Sequence, residues 1–127
     1  MASYFYVGYN YFNRKNGYCK IGETSLALPV RLATIRQKEH FECVGYIKFE
    51  NASKAERLYV ESYVRLMIEK NLPDFKHTQN DHFLYSIDGD KKKQIEQFKN
   101  KVFEYAINAC EFAGIKYEIG TKQYKRG

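Results

Sequence analysis

Asn16-Gly17 stands between two runs of aromatic and β-branched residues near the start of this chain, and no other feature restricts its fold as strongly. Residues 3–11 (SYFYVGYNY) and 18–22 (YCKIG) carry side chains suited to a pleated surface. Asn-Gly accepts the positive φ angles of a tight turn, so 3–22 is expected to form an antiparallel hairpin.

The segments that follow read as alternating helix and strand. A helix is expected from about Leu28 to Lys38, with Pro29 in its first turn, where a missing N–H costs nothing. Residues 41–49 (FECVGYIKF) read as a third strand, and Asn51 as the cap of a helix over 52–70 that Pro73 ends. After a polar loop at 71–81, Phe83–Ile87 reads as extended, and a long helix runs from Asp90 to Ala113 until Gly114 stops it. Residues 115–119 (IKYEI) are a candidate short strand, and 122–127 is a basic tail. The β-β-α-β-α order implies an α+β fold: a small three-stranded antiparallel sheet flanked by helices, with a long C-terminal helix. A chain of 127 residues fits one domain.

The helical segments place charge where apolar residues belong. Positions 28, 31, 32 and 35 share a face and read Leu28, Arg31, Leu32 and Ile35. In the second helix a stripe of Ala52, Ala55, Leu58, Tyr59, Tyr63, Leu66 and Met67 can be drawn, and Glu56 falls inside it. Arg57, Glu61 and Arg65 then point away, so Glu61 is set aside as a ligand. An inward charge is costly unless it is paired or binds something. Arg31 and Glu56 are therefore candidates for chemistry, with a buried ion pair between the two helices as the structural alternative. In the long helix, Ile95, Phe98, Val102, Tyr105, Ala106, Ala109 and Phe112 form the expected buried stripe.

Composition narrows the function classes. A net charge of +6 favours anionic partners, and twelve tyrosines supply rings that can pack, stack or act as acids and bases. Cys19, Cys43 and Cys110 lack metal-ligand spacing and read as packed, reduced thiols. His40, His77 and His82 are scattered, and surface roles are expected for them. No apolar run approaches the ~20 residues that span a bilayer, so the expectation is a soluble cytoplasmic protein with no membrane partner. Neither a Gly-rich phosphate loop nor a nucleophile elbow points to a small-molecule enzyme.

With these residues in order, the chain resembles the GIY-YIG nuclease superfamily. Tyr4-Phe5-Tyr6-Val7 stands in the first motif's place and Lys20-Ile21-Gly22 in the second's. Arg31 follows nine positions after Gly22, Ala52-x-x-x-Glu56 opens the second helix, and Asp81-His82-Phe83 matches a later acidic-aromatic run. The resemblance covers 3–87 and leaves 88–127 as an accessory helix and tail. It implies a metal-dependent DNA endonuclease in which Glu56 holds one Mg²⁺ or Mn²⁺ and Arg31 grips phosphate oxygens. Tyr6 would be the general base or position the water, with Lys20 supplying a neighbouring charge or contacting the phosphate, and Gly22 would let the backbone approach the DNA closely. Arg36 and Lys38 are basic residues expected to track the DNA backbone. The first motif's Gly and Ile are missing, and Lys20 replaces the second motif's Tyr. The alternative is thus a module of the same fold that has lost catalysis and binds nucleic acid or a protein partner. A homodimer is compatible with either.

Overall fold

The computed structural model describes residues 2–10, 18–37, 41–73, 75–79, 82–84 and 91–120. The hairpin forms as β1 (Ser3–Asn10) and β2 (Tyr18–Thr24), followed by α1 (Leu28–Arg36), β3 (Phe41–Phe49) and α2 (Lys54–Asn71). Two short strands, β4 (Lys76–Gln79) and β5 (His82–Leu84), precede α3 (Lys91–Ala113) and β6 (Tyr117–Gly120). The sheet runs β4-β5-β2-β1-β3-β6, antiparallel at every pairing.

Six described strands replace the three expected. Two of the additions, β5 and β6, overlap the segments 83–87 and 115–119 that read as extended, while β4 (KHTQ) is short and polar and lies in the segment read as a loop. They extend the hairpin sheet at both edges.

Alternation along β1 divides the core in two. Phe5 and Val7 turn toward α2 and α3, where they meet Ile21, Ile47, Phe49, Phe83, Val60, Val64, Phe98, Val102 and Ala106. Tyr6 turns to the opposite face, into a smaller cluster with Leu28, Leu32 and Ile35 of α1 and with Phe41 and Cys43 of β3. The long helix expected as an accessory thus supplies much of the main core. It closes as a Schellman turn: Gly114 has φ +71°, its N–H donates to Glu111 O, and Ile115 N–H donates to Cys110 O at 2.9 Å. Among the described residues no helix is long and apolar enough to cross a membrane.

Candidate functional site

α1 has the phase its sequence implies. Leu28, Leu32 and Ile35 are buried, which leaves Arg31 half-buried at the margin of the face. Its guanidinium borders an open cavity of about 270 Å³ lined by Glu23, Thr24, Ser25, Leu26, Arg31, Lys54 and Arg57. The end of β2 and the turn after it, α1, and the first turn of α2 each contribute to the wall. Three cations face one carboxylate.

Arg57 is the most constrained of the three. Its Nε donates to Glu23 Oε2 at 2.7 Å, and its Nη1 donates to Ala52 O at 3.0 Å. The Arg57 and Glu23 side chains are only 11% and 16% exposed, so this pair is shielded from water far more than a surface ion pair. Thr24 Oγ1 accepts from Leu26 N–H at 3.0 Å and shapes the turn into α1. Among the described residues, neither Arg31 nor Lys54 has an ion-pair or hydrogen-bond partner. Two cationic groups therefore present uncommitted donors beside a third that is held in place.

Glu56 does not join this group. The buried face of α2 is Val60, Val64 and Ile68, rotated by roughly 140° from the stripe expected from sequence. Of the expected stripe, Leu58, Tyr59 and Leu66 are exposed, while Ala52, Tyr63 and Met67 pack partly buried against the core. Three β-branched residues at i, i+4 and i+8 pack against the sheet and set the phase, which the scattered aromatics of this helix obscure in the sequence. Glu56 becomes the third residue of a capping box: Ser53 N–H donates to Glu56 Oε1 at 2.9 Å, and Glu56 N–H donates to Ser53 Oγ at 3.1 Å. The helix cap is Ser53 rather than Asn51. The same rotation turns Arg57 and Glu61 inward; Glu61 pairs with Arg65 at 2.7 Å.

The remaining candidates lie elsewhere. Tyr6, Lys20 and Gly22 share the α1 face of the sheet, since Tyr6 pairs with Gly22 and Gly8 with Lys20. Tyr6 is 1% exposed and packs edge-on to Phe41, with ring centroids 5.9 Å apart. Lys20 is buried, with Nζ 5.9 Å from the centre of the Phe41 ring, within cation–π range. Gly22 does not face an open surface: the Tyr6 ring and hydroxyl fill the space a Cβ would need. Arg36 Nε donates to Phe41 O at 3.3 Å and ties the end of α1 to β3. Lys38, His40 and Asp81 lie outside the described residues.

The divalent ion implied by the resemblance finds a poor fit in these side chains. One Glu56 oxygen is engaged by the cap, and Glu56 does not line the Arg31 cavity. The carboxylate that does line it, Glu23, is held by Arg57. Among the described residues no three His, Cys, Asp or Glu side chains converge in a metal-binding group.

Sequence reasoning missed Glu23, Lys54 and Arg57. The available signal was the Val60-Val64-Ile68 spacing, which sets Arg57 and Glu61 four residues apart at the margin of the packed face. In comparisons with known proteins, no family model, curated protein or solved structure matches the chain.

Proposed function

We propose that this chain is a nucleic-acid-binding module of GIY-YIG type that grips the phosphates of DNA in the Arg31 cavity. The observation that carries the reading is the convergence of Arg31, Lys54 and Arg57 against the single carboxylate of Glu23 in an open cavity. Arginine offers a planar fork matched to phosphate oxygens, and lysine adds a mobile point charge. The net charge of +6 assists the approach of a polyanion.

Fluorescence anisotropy with a labelled duplex tests the reading. Binding is expected to weaken steeply with salt, because each neutralised phosphate releases counterions. Arg31→Ala is expected to lower affinity by about tenfold and to reduce the salt slope by about one. Absence of binding at low salt, or an affinity indifferent to Arg31→Ala, rejects the proposal.

A second reading, a metal-dependent endonuclease, draws on Tyr6, Lys20 and Gly22 lying on one face beside α1. It requires Glu56 to act outside its cap and Tyr6 to reach solvent. Duplex nicking that needs Mg²⁺ or Mn²⁺ and vanishes in Glu56→Gln would favour it over the binding module.

A further inference from the structure

The Arg31 cavity differs from the usual footprint of a backbone-tracking surface in its shape and its charge. Its volume, about 270 Å³, lies just under the range that encloses drug-sized ligands, and its walls come from three elements. That is room for one phosphate group and its adjoining sugar. Three cations and one carboxylate give the lining a net charge of +2. An internal phosphodiester carries a single negative charge, whereas a phosphomonoester carries between about −1.5 and −2 near neutral pH. Glu23 lowers the field of the three cations without cancelling it, and in the positive field that remains a doubly charged group is held about twice as strongly as a singly charged one.

The donors are also arranged for a compact anion. Arg57 is pinned by Glu23 Oε2 and Ala52 O, so its guanidinium loses little freedom when a ligand arrives. Arg31 and Lys54 approach from two other elements without competing partners among the described residues. The Thr24 hydroxyl lines the same wall, where it accepts from Leu26 N–H and retains its own proton to donate.

Building on the DNA-binding reading, we infer that the cavity recognises the terminal phosphomonoester of a DNA strand, so that the module is an end or nick reader. The phosphate dianion sits among Arg31, Lys54 and Arg57, and the duplex leaves through the open side.

The test compares labelled DNA hairpins of identical sequence whose single free end carries a 5′-phosphate, a 3′-phosphate or hydroxyls alone. Anisotropy at pH 7.5 and fixed ionic strength is expected to show one phosphorylated hairpin bound at least tenfold more tightly than the hydroxyl form. Which one it is gives the strand polarity. Arg31→Gln and Lys54→Gln, at exposed or half-exposed positions, should each narrow that preference to less than about threefold, with an unchanged thermal midpoint as the folding control. Inorganic phosphate should displace the phosphorylated hairpin more effectively than chloride of equal ionic strength. Equal affinity for all three hairpins overturns this inference alone and leaves the DNA-binding reading standing. Equal competition by phosphate and chloride also overturns it. Failure to bind any of the three rejects both readings.

Discussion

At Gly22 the missing side chain is a packing requirement. A Cβ there would collide with the Tyr6 hydroxyl and ring, and Tyr6 is held in turn by Phe41 and by the α1 leucines. The ring cannot yield easily, because its whole cluster is buried. Gly22→Ala is therefore expected to destabilise the fold by about 1–3 kcal/mol through overpacking, measured as a lower urea midpoint with an unchanged slope. A glycine serving only as a close-approach point for DNA would tolerate alanine in the absence of ligand. The cysteines make a related case. Burial pushes the Cys43 thiol up to about 11, against a smaller opposing pull from a backbone hydrogen bond at Gly45 and from the Arg36 charge. Cys110 is also pushed up to about 11 by burial, with Glu111 adding to the rise, and burial raises Cys19 further still. Because the thiolate is the reactive form, the native protein at pH 8 should react with a thiol-specific disulfide reagent far more slowly than the urea-unfolded chain. Fast labelling of the folded protein would contradict this packing.

Between the elements, legibility followed the strength of the local signal. The hairpin was readable from its Asn-Gly and its aromatic, β-branched runs, although both its strands are buried on both faces. β3 and α1 were readable from their periods, since β3 buries every second residue from Phe41 to Phe49 and α1 buries Leu28, Leu32 and Ile35. In α2 the apolar residues fall on two faces. Tyr59 and Leu66 remain exposed while Val60, Val64 and Ile68 pack on the sheet, so composition could not choose the phase. In α3 the stripe was legible except at its end, where Phe112 is 87% exposed and Cys110 is buried instead. The site inherited these outcomes: Arg31 was found through α1, whereas Lys54, Arg57 and the capping role of Glu56 were hidden by the phase of α2. That role is directly testable. Ser53→Ala removes the side-chain acceptor for Glu56 N–H and should cost about 1 kcal/mol, a fall in thermal midpoint of about 4 °C. Glu56→Gln keeps an amide oxygen able to accept from Ser53 N–H, so its midpoint should fall by less than that of Ser53→Ala. A larger loss in Glu56→Gln would mean that the carboxylate's charge, rather than its hydrogen bond, is what α2 uses.

Across the whole molecule the sheet is covered unequally. One face carries α2 and α3 over a large core, while α1 covers the other with three buried residues against Tyr6, Phe41 and Cys43. Apolar burial is the main favourable contribution to folding, so the face with less of it opens at lower free energy. The Arg31 cavity spans this asymmetry: Arg57 and Lys54 belong to the firm α2 wall, and Arg31 rides on the lightly buried α1. Native-state hydrogen exchange should therefore show the amides of α1 exchanging before those of α2 around Val60–Ile68. A DNA ligand that engages Arg31 adds its binding free energy to the closed form and should slow exchange across α1 in proportion to its occupancy. Protection appearing in α2 alone would place the ligand on the firm wall and remove Arg31 from its grip. Uniform exchange of α1 and α2 in the free protein would mean that the smaller cluster is as firmly joined to the sheet as the larger one, and that both walls of the cavity open together.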